Sequence, residues 1–263
     1  MTVDKALLGR RFGEAAGVYD SRAHIQEQAA EILIRSIKTA SLSPGRILDI
    51  GCGTGILTRK LADLFPEAEI LALDLAPGMV NEASSRFIGN PNVRFLAADI
   101  EKDFPDDPFD LIASSMAFQW FDHPETVLKR ASERLAPGGA FAMCAPGGGT
   151  FRELRKAYAR AAEDLGVREW RYPGPDFHPA DAWETWAMEA FGTADTSVVT
   201  LEEEYDSARE LLASVRSIGA SDVTGGAGPY AVSLLRRALR LYGAGGPVRA
   251  TWELVSVRAN GLA

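Results

Sequence analysis

Cysteine and histidine are scarce in this sequence, and positive charge does not dominate it. The 263 residues include 2 cysteines and 3 histidines, whose spacing fits neither a disulfide framework nor a zinc-type site. The formal net charge of −8 argues against a general nucleic-acid binder, because phosphate contacts need clustered lysine and arginine. We therefore expect no metal centre, no nucleic-acid partner and a reducing, cytoplasmic setting.

Long apolar runs are also missing. No run approaches the roughly 18 apolar residues of a membrane-spanning helix, and the first twenty residues lack the apolar stretch of a secretory leader. We therefore expect no membrane segment. The hydrophobic share of 46% and the charged share of 24% are typical of a globular protein, and the length suffices for one α/β domain with appended helices.

Strand-like and helix-like segments alternate through the middle of the chain. Short apolar runs predict strands at 46–50, 69–73, 93–97, 109–114 and 140–145. Helical periodicity separates them at 56–65, 77–87 and 124–135, and a turn is predicted at 135–139. This alternation indicates βαβ units and a mostly parallel sheet, which binds ligands at the carboxyl ends of its strands.

The pattern changes after residue 149. Helices are predicted at 150–165, 181–191, 207–218 and 230–242. Alternating residues predict strands at 196–205 and 248–257, the last of them antiparallel. A loop rich in proline and aromatic residues spans 169–179. These segments favour helices inserted around one sheet over a second independent domain.

A glycine-rich segment, LDIGCGTG, follows the first predicted strand. Gly51, Gly53 and Gly55 remove side chains where a backbone turns sharply and approaches a ligand. The dinucleotide fingerprint is G-x-G-x-x-G, but the spacing here is G-x-G-x-G, and Asp49 precedes the first glycine by two positions. This pattern resembles motif I of the class I methyltransferases, which implies S-adenosylmethionine as the cofactor. A tight turn without a ligand is the alternative.

The resemblance implies further cofactor contacts at the ends of the next strands. Asp74 ends the second strand, where a carboxylate can accept hydrogen bonds from both ribose hydroxyls. Asp99 ends the third strand and is expected to accept from the adenine amino group, although an acid there could instead cap a turn. Met79 could pack on the adenine or belong to the helix core. The remaining candidate contacts are Leu75, Ile100 and Ser115.

Segments outside this core resemble the malonyl-acyl-carrier-protein O-methyltransferases of biotin synthesis. The resemblance spans nearly the whole chain and rests on the pattern FGxAAxxYD, the Gln119-Trp120 pair and an Ile218-Gly219-Ala220 turn. The trans-aconitate methyltransferases share parts of it. The resemblance implies methyl transfer to the free carboxylate of a malonyl thioester. Such a carboxylate is ionised at neutral pH, so proximity and alignment can replace a general base.

Three residues are candidates for the catalytic site on this basis. Tyr19 could hydrogen-bond near the methyl group or serve as a core aromatic of an N-terminal helix. Gln119 could supply an amide donor to the acceptor or pack beneath a lid. Arg216 could pair with the acceptor carboxylate or lie on a solvated helix face. Arg152 and Arg155 are weaker candidates for that pairing.

An acyl-carrier protein is acidic, so its docking surface should be basic. Arg236, Arg237 and Arg240 share one predicted helix and could form such a surface, although a solvated face is the simpler interpretation. Another small carboxylate, a quinone-type carbon, or a regulatory role without catalysis remain alternative functions.

The overall prediction is one domain with the Rossmann-like class I methyltransferase fold. It has a mostly parallel sheet, a last antiparallel strand and helical lid insertions. We divide it into an N-terminal helical lid at 1–40, a cofactor-binding core at 41–146, helical insertions on the acceptor side at 147–245 and a final strand at 246–263.

Overall fold

The described residues form a central seven-stranded sheet between helical layers. The computed structural model describes residues 3–170, 172, 174–175, 177–220 and 230–261, so parts of the predicted loop at 169–179 and of the predicted insertions at 147–245 lie outside them. The strands are β1 (Arg46–Ile50), β2 (Glu69–Asp74), β3 (Val93–Ala97), β4 (Phe109–Ser115), β5 (Leu135–Pro146), β6 (Asp195–Tyr205) and β7 (Val248–Asn260). The helices are α1 (Lys5–Tyr19), α2 (His24–Thr39), α3 (Ile56–Leu64), α4 (Pro77–Arg86), α5 (Pro124–Glu133), α6 (Arg152–Leu165), α7 (Ala180–Phe191), α8 (Ala208–Ser217) and α9 (Ala231–Tyr242).

The strand order is β3-β2-β1-β4-β5-β7-β6. Neighbouring strands from β3 to β5 are parallel, whereas β7 runs antiparallel to both β5 and β6. This arrangement confirms the predicted fold class. The strand order reverses beside β1, between its neighbours β2 and β4, and ligands of open α/β sheets bind at such a reversal.

Apolar side chains of the strands alternate between two cores, one on each face of the sheet. Ile47 and Leu111 lie in the core that α2 and α3 cover with residues such as Leu33 and Leu61. Their neighbours Leu48 and Ile112 lie in the other core, which α5 and α7 cover with residues such as Leu128, Trp183 and Phe191. Burial on both faces explains why these strands read as continuous apolar runs in the sequence.

The segment at 135–139 is the start of β5, not the separate turn that the sequence predicts. Leu135 pairs with Phe109, and the register shifts before Ala140 pairs with Leu111. A side chain on Gly139 would place its Cβ 2.9 Å from the carbonyl oxygen of Ala136. The proline and glycines therefore mark an irregularity within a paired strand, where the backbone passes too closely for a Cβ.

Residues 147–245 contribute to two parts of the structure. Helix α7 packs on α5 and β7, and β6 pairs with β7 along its length, so both belong to the layers of the central sheet. Helices α6 and α9 pack together, and α8 contacts α9 and α1. Helix α1 itself lies across α4. No helix in the described part of the chain is long and apolar enough to cross a membrane.

Candidate active site

The glycine-rich turn after β1 has a backbone that only glycine adopts easily. Gly51, Gly53 and Gly55 have φ values of 73°, 55° and 89°, where a Cβ is strained. The N–H of Gly51 donates to the carbonyl of Leu73 at 2.8 Å. A Cβ on Gly51 would lie 2.2 Å from that of Ala117, which follows β4. The turn therefore packs closely between the end of β2 and the segment after β4, where the strand order of the sheet reverses.

Asp74 connects this turn to helix α4. Its Oδ2 accepts from the N–H of Gly53 and its Oδ1 from the N–H of Ala76, both at 2.8 Å. Burial raises the pKa of Asp74, and these two donors oppose the rise. Each carboxylate oxygen keeps further acceptor capacity, and the side chain borders a cavity. Asp74 can therefore accept hydrogen bonds from a ligand while it keeps those from the N–H groups of Gly53 and Ala76.

Most of the residues predicted to hold the cofactor line this first cavity. They are Gly51, Gly53, Asp74, Leu75, Met79, Asp99, Ile100 and Ser115. Met79 borders the cavity and is also buried against Ala16 and Ala76. Asp99 borders the cavity, and its Oδ1 also accepts from the N–H of Glu101 at 3.2 Å in a turn. The adenine contacts predicted for both residues stay predictions.

Two predicted cofactor residues, Asp49 and Gly55, are not among the residues that line the cavity. Asp49 is fully buried; its Oδ2 accepts from Thr58 Oγ1 at 2.6 Å, and its Oδ1 has no hydrogen-bond partner in the described structure. Burial raises the pKa of Asp49 to about 7. Gly55 precedes α3, and a Cβ there would approach Phe87 and Ala83 at 3.2 and 3.5 Å. Its described contacts are therefore those of backbone geometry and helix packing.

A second, larger cavity of about 490 Å³ adjoins the first. The two cavities share Phe12, Tyr19, Gln26, Met116 and Trp120 as lining residues. The rest of the second cavity is mainly apolar, with an aromatic wall formed by Phe151, Tyr158, Trp170, Tyr172, Phe177 and Trp252. Two reactants bound in the two cavities would meet where these walls join.

The three candidate catalytic residues all border the second cavity, and only Tyr19 borders both. Burial and the nearby Asp74 raise the pKa of Tyr19, so its hydroxyl stays protonated and can donate. Gln119 donates an N–H to the carbonyl of Met116 at 2.7 Å, and its buried Oε1 has no partner in the described structure. Arg216 is exposed at the edge of the cavity.

The aromatic wall and Met116 were missed by sequence reasoning. Met116 has a φ of 57°, which is uncommon outside glycine, and it lies where the two cavities join. The loop at 169–179 supplies Trp170, Tyr172 and Phe177, so its aromatic content was the available signal. Trp252 is part of the buried core, but its ring also borders the cavity and its Nε1 donates to Glu203 at 3.0 Å.

Arg155 lies behind this aromatic wall. Its guanidinium carbon is 4.6 Å from the ring centroid of Tyr172 and 5.3 Å from that of Phe177. Its Nε is buried and has no hydrogen-bond partner in the described structure. The weaker candidate from the sequence is therefore a half-buried cation whose guanidinium lies against two of the aromatic rings that line the cavity.

Comparison with known proteins decides the family. Residues 47–139 match the methyltransferase-domain family. The chain is 37% identical to the malonyl-acyl-carrier-protein O-methyltransferase of Paenibacillus sp. (strain JDR-2), over 84% of each protein. It is 34% identical to the enzyme of that name from Acetivibrio thermocellus, over 98% of this chain and 94% of the relative. The chain belongs to the malonyl-acyl-carrier-protein O-methyltransferase family.

Solved structures agree with this methyltransferase in fold. The YcgJ protein from Bacillus subtilis has a TM-score of 0.63 at 18% identity, covering 90% of this chain and 99% of its own. A protein from Bacillus halodurans C-125 has a TM-score of 0.61 at 14% identity, covering 88% of this chain and 99% of its own. At these identities the likeness establishes the shared fold.

S-adenosylmethionine is the cofactor of this methyltransferase, and the described residues fit it. Asp74 borders the cavity with two carboxylate oxygens that would accept from ribose hydroxyls, and Leu75 and Met79 line it with apolar surface that would suit an adenine. Ser115 has a buried hydroxyl without a partner in the described structure. The unpartnered oxygen of Asp49, beneath the glycine turn, suits a nearby positive charge such as an ammonium group. No cluster of possible metal ligands occurs in the part of the chain that the structure describes.

Proposed function

We propose that this methyltransferase transfers the methyl group of S-adenosylmethionine to the free carboxylate of malonyl-acyl-carrier protein. The product is a methyl ester that primes the pimeloyl stage of biotin synthesis. The observation that carries the proposal is the joining of a cofactor cavity to a large apolar cavity at Tyr19, Met116 and Trp120. Two relatives whose names specify this acceptor share 37% and 34% identity with the chain.

The size and polarity of the second cavity support a thioester acceptor. A volume of about 490 Å³ exceeds what a malonyl group needs and leaves room for part of the arm that carries it. Apolar and aromatic walls suit that arm, whereas a small acid with three carboxylates would need several cations. Among the described residues that line this cavity, Arg216 is the one with a cationic side chain. The cavity therefore favours one carboxylate on a longer, less polar molecule.

The proposed chemistry needs alignment and desolvation. When bound, S-adenosylmethionine supplies an electrophilic methyl group on a sulfonium. The acceptor carboxylate forms a bond to the methyl carbon while the carbon–sulfur bond breaks and its electron pair stays on sulfur. An anion and a cation disappear together, so an apolar surrounding favours the transition state over the separated ions. Trp120, Phe151 and Trp252 provide that surrounding.

Tyr19 and Arg216 take different parts in the proposed reaction. The protonated hydroxyl of Tyr19 is a donor beside the place where the two cavities join. Arg216 pairs with the acceptor carboxylate before transfer, because an unpaired anion in an apolar cavity would be costly. This pairing positions the nucleophile, and the loss of its charge on methylation weakens the pairing and assists release.

An acceptor screen with radiolabelled S-adenosylmethionine tests the proposal. We expect base-labile label on malonyl-acyl-carrier protein, because a methyl ester hydrolyses in mild base. Unloaded carrier protein and acetyl-carrier protein, which lack the free carboxylate, serve as matched controls. Transfer to trans-aconitate without transfer to the malonyl carrier would contradict the proposal. Binding of the cofactor without transfer to any acceptor would favour a regulatory role.

A further inference from the structure

Helix α1 forms one wall of the cofactor cavity and is fastened to the core along its length. Near its start, Lys5 forms an ion pair with Glu101 and donates to the carbonyl of Trp120 at 3.0 Å. In its middle, Gly13 lies against α4, where a Cβ on Gly78 would be 2.7 Å from the Cα of Gly13. The wall therefore has fixed contacts at its start and centre.

The end of α1 is held by a ring of three residues from three separate segments. Asp20, directly after α1, accepts from Thr54 Oγ1 at 2.5 Å and forms an ion pair with Arg86. Arg86, at the end of α4, donates in turn to the carbonyl of Thr54 at 3.1 Å. Thr54 lies within the glycine-rich turn. We call Asp20, Thr54 and Arg86 the α1 latch.

The latch lies next to the residue that joins the two cavities. Tyr19 immediately precedes Asp20 and borders both the cofactor cavity and the acceptor cavity. Asp20 therefore ties Tyr19 to the turn that contacts the cofactor. We propose that Asp20 and Arg86 are positioning residues that hold Tyr19 over the junction of the cavities and retain the cofactor during methyl transfer.

The energetics suit a latch that opens and closes. The side chains of Asp20 and Arg86 are 35% and 25% exposed, and an isolated pair of this kind contributes little to stability. Thr54, by contrast, is 1% exposed, so opening would strip a buried hydroxyl of its acceptor. The three contacts share their groups, and we expect them to form and break together.

The dissociation rate of S-adenosylhomocysteine from the full-length enzyme tests the latch. In Asp20→Ala and Arg86→Ala we expect dissociation to be about tenfold faster, as for the loss of a charge-assisted hydrogen bond, with a lower kcat. Because both residues act through one ring, the double variant should be no worse than either single variant. Arg86→Lys, which keeps the charge, should recover part of the retention.

Glu27→Gln is the matched control. It removes another ion pair between helices, with Lys60 of α3 at 2.6 Å, without touching α1, and it should leave dissociation unchanged. Unchanged dissociation in Asp20→Ala, additive effects in the double variant, or an Arg86→Lys variant as impaired as Arg86→Ala would each overturn the proposal. The inference rests on methyl transfer and not on the acceptor. Failure of the acceptor screen with normal latch behaviour would therefore leave it standing.

Discussion

At the scale of single residues, one short motif combines different physical requirements. Gly51 is needed because a Cβ would collide with Ala117, and it also borders the cofactor cavity. Gly53 borders the cavity and gives its N–H to Asp74. Gly55 is needed for a left-handed backbone and for room beside Phe87. Although the three glycines are regularly spaced, Gly55 differs from the other two, because its described role is in backbone geometry and packing.

The proposed pairing of Arg216 with the acceptor carboxylate can be tested by substitution. Replacing it with glutamine removes the cation that we place opposite the acceptor carboxylate. We expect the KM for malonyl-acyl-carrier protein to rise by about tenfold or more, as for the loss of a hydrogen-bonded charge pair. The Kd for S-adenosylmethionine should stay the same, because Arg216 borders only the acceptor cavity.

The control for Arg216 lies on the same helix. Arg209→Gln changes an exposed arginine of α8 that is not among the residues lining the cavity, and it should leave KM unchanged. An unaltered KM in Arg216→Gln would contradict the pairing. If Arg155→Gln then raised KM, the carboxylate would be assigned to the cation behind Tyr172 and Phe177.

At the scale of elements, helix α9 combines acceptor lining with exposed positive charge. Val232 lines the acceptor cavity and is 62% exposed, and Tyr230, just before the helix, shares both properties. Arg236 and Arg240 are exposed on the same helix. Arg237, which the sequence groups with them, instead donates to Asp164 at 2.8 Å. The basic surface is therefore smaller than predicted, and it lies on the helix that supplies lining residues to the cavity.

Charge reversal on α9 tests this surface as the docking site of an acidic carrier protein. We expect Arg236→Glu/Arg240→Glu to lower kcat/KM for the carrier-linked substrate by about tenfold at low salt, with a smaller loss at high salt. A small malonyl thioester should be little affected. The same charge change at Arg59 and Lys129, exposed on α3 and α5, is the control. Equal losses on both substrates would refute docking at α9.

At the scale of the whole molecule, folding buries the carboxylate of Asp49, which lies just before the glycine-rich turn. Asp49 is fully buried with one oxygen unpartnered in the described structure, and its pKa rises from 3.8 to about 7. The folded state therefore holds a proton that the unfolded state has released between these two pH values. Stability contributed by this proton is present at low pH and is lost as the pH rises through about 7.

Asp49→Asn should remove this dependence. We expect the variant and the parent to have similar free energies of unfolding near pH 4. Above pH 7 the variant should be the more stable, by up to about 4 kcal/mol for a pKa difference of this size. Urea denaturation across this range measures the difference, and Asp103→Asn, at an exposed position, should show none. A constant difference at all pH values would contradict the prediction. The variant should also bind S-adenosylmethionine more weakly.

Local sequence patterns determined the fold class and predicted eight of the residues that line the first cavity. Strand ends and glycine spacing are local properties, and a parallel sheet brings the ends of neighbouring strands to one edge. Asp74, Asp99 and Ser115 were therefore placed correctly beside the cavity from their positions alone. The same reasoning could not show that Asp49 lies behind the wall, because depth below a turn depends on the packing around it.

Only the tertiary structure decided which distant side chains meet. Asp20 and Arg86 are 66 residues apart, and Arg237 and Asp164 are 73 apart. No periodicity links such pairs, because their contact follows from how α1 lies on α4 and how α6 lies on α9. The sequence by itself therefore determined the fold and the position of the first cavity at the ends of the strands. The packing of helices outside the central sheet decided how that site is closed and what reaches it.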